Sequence, residues 1–273
     1  MSARIEVLGL GLMGLSLALA LRRAGWDVFG VDPDPVACHR AEEAGVHIGP
    51  ARSPDWVLAA VPPPALASTL AEASRRGRGP VLLTEITSVK GPVMPLLAAL
   101  PRRFGVVASH PMAGRELEGG AGAVPDLDQG RLWAAIPVPG REPPRPALGD
   151  LVEAVGSELV WVPDAARHDA AVAVTSHLPY LVALMLSRAA GEVPFGPDLA
   201  GPGLLAATRT AESPTGLWST ILEANRTEVA AALGRLLGEA TRWKEILEAS
   251  DETTLRAAVE EARSQTRWRR RFG

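Results

Sequence analysis

Residues 5–21, IEVLGLGLMGLSLALAL, carry Gly9, Gly11 and Gly14 in G-x-G-x-x-G spacing, after a short apolar run and at the head of a helical pattern. The spacing alone also fits an ordinary Gly-rich turn, but a strand before it and a helix after it give it the context of a dinucleotide site. Gly9 permits a tight turn, Gly11 lets backbone approach a pyrophosphate, and Gly14 lets helix and strand pack closely. The helix start adds free amides and the positive end of its dipole. Leu12 and Met13 belong to the same cofactor-facing turn. Asp32 closes the next strand pattern, FGVDPDP, 18 residues past Gly14. A carboxylate there accepts hydrogen bonds from a ribose 2′-hydroxyl and repels a 2′-phosphate. Together these features point to a dinucleotide cofactor, NAD rather than NADP.

The rest of the first half agrees. Apolar runs at 4–9, 27–31, 56–61, 81–86, 105–109, 131–136 and 158–162 read as strands, several of them continuous enough for burial on both faces of a parallel sheet. Helical patterns at 12–24, 34–44, 64–76 and 91–100 fall between the earlier ones, which is the βαβ alternation. Residues 137–150, PVPGREPPRPALGD, read as a loop before a helix near 147–156. Beyond about 164 the stretches 164–191, 215–249 and 251–270 repeat apolar residues every three or four positions, as helices do. The expected fold is therefore α/β. A Rossmann-type dinucleotide-binding domain with a mostly parallel sheet (1–163) precedes an all-helical domain (164–273).

Composition excludes several classes. A net charge of −3 gives no global field for nucleic acid or an anionic membrane. The basic tail RWRRRFG reads as a solvated helix end. The apolar start resembles a signal peptide, but Glu6 interrupts it and it runs straight into the next strand, so no membrane segment is expected. Cys38 is the sole cysteine, which rules out an intramolecular disulfide and suits a cytoplasmic address. The five histidines show no pair at metal-ligand spacing with a supporting acid or thiolate, so no metal is expected. His168–Asp169 reads as a capping or packing pair.

Ligands of open α/β sheets sit beyond the carboxyl ends of the strands. Two polar stretches fall there: TEITSVKG, with Ser88 and Lys90, and SHPMAGRELEGG, with His110. A histidine can act as general base because its ordinary pKa lies near operating pH. With a cofactor turn upstream, His110 is the candidate base.

These stretches, followed by HDAAVAVTSHLPYLVA and ATRTAESPTGLWSTILEANR, come in the order seen in the prephenate dehydrogenases and their arogenate-using relatives, and the chain resembles that family from residue 4 to about 248. The resemblance implies NAD-dependent oxidative decarboxylation of a cyclohexadienyl acid, prephenate or arogenate, on the way to tyrosine. It implies that His110 takes the ring hydroxyl's proton and that Ser88 bonds that hydroxyl or orients His110. It implies further that Arg209 pairs with a substrate carboxylate, that Glu116 lines the pocket mouth, that His177 faces the site or is structural, and that Trp218 packs near the pocket or in the core; Tyr180 is a further candidate for substrate contact. It also implies a homodimer through the helical domain.

Two positions depart from the family pattern. Tyr180 stands where SHLPH has its second histidine, and Leu205 and Ala206 replace a charged pair before Arg209. Both bear on the choice between prephenate and arogenate, which the sequence leaves open. A β-hydroxyacid dehydrogenase shares the cofactor turn but uses a lysine on the interdomain helix, and 164–190 contains none. A non-catalytic NAD-sensing protein would need no converging Ser88, His110 and Arg209.

Overall fold

The computed structural model describes residues 3–76, 79–114, 119–249 and 251–271. All seven expected strands form: β1 Arg4–Leu8, β2 Asp27–Val31, β4 Trp56–Ala59, β5 Val81–Glu85, β6 Phe104–Pro111, β7 Leu132–Pro137 and β8 Glu158–Trp161. An eighth, β3 His47–Ile48, adds to the edge beside β2. It is two exposed residues long, too short for any periodicity to betray it. The sheet order is β3-β2-β1-β4-β5-β6-β7-β8, and among the described residues the one antiparallel pairing joins β6 to β7. The order reverses between β1 and β4, which opens a crevice at their carboxyl ends.

Helices α1 Leu12–Arg23, α2 Pro35–Glu43, α3 Pro63–Arg75, α4 Met94–Ala98 and α5 Arg145–Ala154 cover both faces of the sheet. One apolar cluster joins Leu17 and Leu21 of α1 and Leu148 and Leu151 of α5 to Ile5, Val7 and Trp133. The other joins Leu66 and Leu70 of α3 and Leu97 of α4 to Leu83 and Val106. Burying each such large apolar side chain contributes about 1.5–3 kcal/mol. Helix α5 starts earlier than the Pro-rich stretch suggested. Pro146, in its first turn, lacks only an amide that a helix start leaves unpaired anyway. Glu6, in the middle of β1, is 3% exposed and is neutralised by Arg76 at 2.6 Å.

The helical half begins with α6 Ala165–Val172, which Asp164 caps by accepting from the Arg167 amide at 2.8 Å. A π-helical turn at Ala173–His177 leads into α7 Leu178–Glu192. The widening falls just before Pro179, which has no amide to continue the ordinary ladder. After α7 come α8 Pro202–Thr208, a short helix without a clear sequence signal, a 3₁₀ turn at Arg209–Glu212, and α9 Thr215–Ala224. The stretch expected to be helical over 215–249 breaks at Asn225, whose backbone leaves helical geometry. Residues 1–226 form one compact unit and 227–273 a second. In the second, α10 (Arg226–Glu248) is tied to α11 (Glu252–Ser264) by Arg242–Glu261 at 2.6 Å, and Asp251 caps α11 through the Thr253 and Thr254 amides.

Candidate active site

The turn after β1 is built as its glycines require. Gly9 has φ +95° and donates its amide to the Val31 carbonyl at 2.8 Å. A β-carbon there would lie 2.5 Å from the Ala60 carbonyl, and one on Gly14 would lie 2.0 Å from the Gly9 carbonyl. Neither position accepts a side chain. Gly11, by contrast, faces open space, with no atom within 4 Å of where a β-carbon would sit. It is the N-cap of α1 and brings no capping side chain, so the first-turn amides beside Leu12 and Met13 stay available to an anion. Asp32, at the end of β2, accepts from the Leu10 amide at 2.6 Å and the Asp34 amide at 2.8 Å, which fixes its carboxylate beside the glycine turn. The residues present thus suit a dinucleotide: an open cradle for phosphate at Gly11 and an oriented carboxylate for a ribose.

Two further strand ends carry the polar stretches. Strand β5 ends at Glu85, which is fully buried. One of its carboxylate oxygens accepts from the Thr87 amide at 2.9 Å and hydroxyl at 2.6 Å; the other accepts from Lys90 Nζ at 2.5 Å. Lys90 Nζ also donates to the Ser109 carbonyl at 2.6 Å, so this buried ammonium staples the β5 loop to β6. Burial pushes its pKa down, against the pull of Glu85 and Asp169. Lys90 is therefore part of the wall rather than a group facing the cofactor. Ser88 sits half-buried on the same loop.

Strand β6 runs two residues past the expected 105–109, because the Met112 amide also bonds the Leu132 carbonyl at 2.7 Å. His110 is thereby held by the sheet rather than by a loose turn, opposite Ala134 of β7. Its Nδ1 lies 3.0 Å from His168 Nε2, and His168 Nδ1 lies 2.7 Å from an Asp169 carboxylate oxygen. Asp169 accepts as well from the Lys90 and Gly91 amides, at 2.8 and 2.7 Å. Burial raises its pKa, yet the bonds from His168 and those two amides outweigh it and hold the carboxyl below its ordinary value. His168–Asp169 is thus not a cap or a packing pair: it reaches across from α6 to the candidate base. Burial first, and then the neighbouring Lys90, His168 and His177, hold His110 well below the usual histidine range, so the resting imidazole is neutral.

The network continues. Asn225 donates to the Asp169 carbonyl at 2.8 Å, and its amide nitrogen lies 3.2 Å from His177 Nδ1. This explains why the helix breaks at Asn225. His177 is 1% exposed; burial lowers its pKa to about 4, with Asp169 pulling up and His168 pushing down. Trp218 stacks on Tyr180 with ring centroids 4.0 Å apart and meets His177 edge-on at 6.1 Å. The structure therefore brings His177, Tyr180 and Trp218 into one aromatic group joined to His110 through His168, Asp169 and Asn225. Arg209 opens the exposed 3₁₀ turn packed against α7. Glu116 lies outside the described residues. Sequence reasoning passed over Glu85, His168, Asp169 and Asn225. The adjacent His-Asp pair was the one visible signal for the middle two.

Because His177 binds a proton more weakly folded than unfolded, stability is full above its ordinary pKa of 6.5 and falls as pH drops towards about 4. The melting temperature of the wild type should decline over that window, and His177→Gln should flatten the decline. An unchanged slope in the variant contradicts the burial argument.

Comparison with known proteins agrees with this geometry. The prephenate dehydrogenase nucleotide-binding domain matches residues 17–158, and the prephenate dehydrogenase dimerization domain matches 164–261. NovF of Streptomyces niveus, named a probable prephenate dehydrogenase, is 31% identical over 84% of this chain and 65% of its own length. The prephenate dehydrogenase of Bacillus subtilis is 27% identical over 93% of this chain and 73% of its own. The chain thus spans about two thirds to three quarters of these relatives. Prephenate dehydrogenase from A. aeolicus, solved with hydroxyphenyl propionate and NAD+, superposes with a TM-score of 0.85 at 25% identity, covering 97% of this chain and 98% of that one. A 3-hydroxyisobutyrate dehydrogenase of Mycobacterium tuberculosis shares the fold at a TM-score of 0.61 and 17% identity. A dinucleotide turn, a neutral histidine at the end of the sixth strand, and matches running through both halves lead to one conclusion: the chain belongs to the prephenate dehydrogenase family.

Proposed function

We propose that this protein catalyses the NAD-dependent oxidative decarboxylation of prephenate to 4-hydroxyphenylpyruvate, a step towards tyrosine. The observation that carries the proposal is His110, neutral and sheet-held on the same carboxyl side of the sheet as the Gly9–Gly14 turn. NAD, when bound, supplies the hydride acceptor. Gly9, Gly11, Leu12, Met13 and Gly14 would hold its pyrophosphate and Asp32 its ribose.

His110 then takes the proton of the ring hydroxyl as the carbon bearing it loses hydride, and Ser88 hydrogen-bonds that hydroxyl. Loss of carbon dioxide leaves its bonding pair in the ring, which becomes aromatic, so the protein has to supply position, a base and charge complementarity. Arg209 pairs with a substrate carboxylate through its planar fork. Glu116 lines the mouth, and His177, Tyr180 and Trp218 wall the pocket. Arogenate differs from prephenate by an ammonium in place of the keto group. The test is kcat/KM for the two acids with NAD, with product identified. A preference for prephenate supports the proposal, a preference for arogenate changes the substrate, and turnover of neither refutes it.

Asp32→Ser should cut the preference for NAD over NADP at least about tenfold, because it removes both the ribose acceptor and the repulsion of a 2′-phosphate. The ratio of kcat/KM with the two cofactors reads this directly.

The protein acts as a homodimer through its helical domain. Support comes from the match to a dimerization domain and from the exposed apolar side chains Met185, Val193, Phe195 and Leu199. It works in the cytoplasm, as its single cysteine suggests. Residues 165–192 are long and apolar enough to cross a membrane by composition, but they contain His168 and Asp169, both committed to the site.

A further inference from the structure

The bond between His110 and His168 fixes more than a distance. Asp169 is 6% exposed and its carboxylate already accepts from two backbone amides, so it meets His168 as an acceptor. His168 Nδ1 must therefore carry the proton in the 2.7 Å contact. In a neutral ring its Nε2 is then a lone pair, and the only partner that satisfies it at 3.0 Å is an N–H on His110 Nδ1. This leaves the lone pair of His110 on Nε2, the nitrogen turned away from His168. The rings meet edge to face, at 62° with centroids 5.1 Å apart, so the contact is not stacking.

We propose that His168, oriented by Asp169, is a positioning residue that holds His110 in the one tautomer able to accept the substrate proton at Nε2, and shares the charge once it has. This rests on the reading of His110 as the base. When Nε2 takes the ring hydroxyl's proton, the Nδ1 proton moves along the existing hydrogen bond to His168 Nε2. His168 becomes the imidazolium, its Nδ1–H stays on Asp169, and the positive charge rests beside a carboxylate instead of beside the Lys90 ammonium. No other proton is gained or lost. Among the described residues, the remaining charged or titratable groups that face His110 are Lys90, on the loop after β5 and paired with Glu85, and His177 on the π turn. Neither accepts from Nδ1. The same logic governs other acid–histidine pairs, where a wrong tautomer costs about 10⁴-fold in rate with the geometry intact.

The test reads the tautomer in the resting protein. Nitrogen-15 NMR of histidine-labelled enzyme, with no substrate and His110 assigned by comparison with His110→Asn, should show a protonated Nδ1 and a lone-pair Nε2. A protonated Nε2 overturns the proposal. A wrong substrate assignment leaves this result standing, since no turnover is involved. In steady state, His168→Leu should lower kcat about 10²-fold with KM nearly unchanged. It should also move the acid limb of the pH profile, because the acceptor on Nδ1 is gone. His168→Gln, whose amide oxygen can still accept from Nδ1, should recover part of kcat. Equal losses in both variants, with an unmoved pH limb, would mean that His168 only packs, and would also overturn the proposal.

Discussion

Replacing His110 with asparagine should lower kcat for prephenate roughly 10²–10⁴-fold, the usual contribution of a positioned general base, while KM and the affinity for NAD stay within about threefold. The asymmetry follows from where the residue sits. Its backbone pairs with Ala134 of β7, on a strand that β5 flanks as far as Ala108, and asparagine changes neither ladder. What disappears is a neutral imidazole kept below the usual histidine range by burial and by Lys90, His168 and His177. The same environment sets the pH dependence. The base must be unprotonated, so kcat/KM should fall only on the acid side, along a limb below the ordinary histidine pKa of 6.5. Steady-state kinetics of both proteins over a pH series measures both effects. A variant that loses NAD affinity as steeply as turnover would move His110 from chemistry to architecture.

The second large effect is on stability. Lys90→Met should destabilise the protein by about 3–5 kcal/mol, because removing one member of a buried ion pair strands the other. Here the stranded groups are the Glu85 carboxylate and the Ser109 carbonyl, at 2.5 and 2.6 Å from Nζ, in a pair with both side chains 0% exposed. The loss should appear as a fall of about 6–20 °C in melting temperature. Pairing it with Glu85→Gln should restore part of it, since a neutral amide is cheaper to bury than an unpaired charge. By contrast, Arg188–Glu192 is an ion pair with side chains 84% and 65% exposed, and removing Arg188 should cost about 0–1 kcal/mol. Differential scanning of the three variants separates these cases. Equal small losses would show that Lys90 is solvated in solution.

Much of this architecture was legible in the chain, for a physical reason. Strands buried on both faces write themselves as unbroken apolar runs, and the cofactor turn needs glycines that no other residue can replace at Gly9 and Gly14. What escaped was set by partners far away in sequence. Strand β3 exists only because β2 offers it an edge. The break at Asn225 exists because its side chain is recruited by Asp169 and His177, 56 and 48 residues earlier. His168 and Asp169 look like an ordinary helical pair until the fold brings His110 from 58 residues away. The position of Lys90 on a strand-end loop puts it with Ser88 at the ligand side of the sheet. The buried Glu85 five residues before it claimed it instead. Local pattern thus placed the candidate base, whereas the groups that hold it are tertiary.

The most direct measurement is the stoichiometry of wild-type turnover with prephenate and NAD, following reduced nicotinamide by absorbance and carbon dioxide by coupled assay. The account predicts one reduced cofactor and one carbon dioxide for each prephenate consumed, with 4-hydroxyphenylpyruvate as product. Reduced cofactor without carbon dioxide, or no reduction by a protein that demonstrably binds NAD, would contradict it.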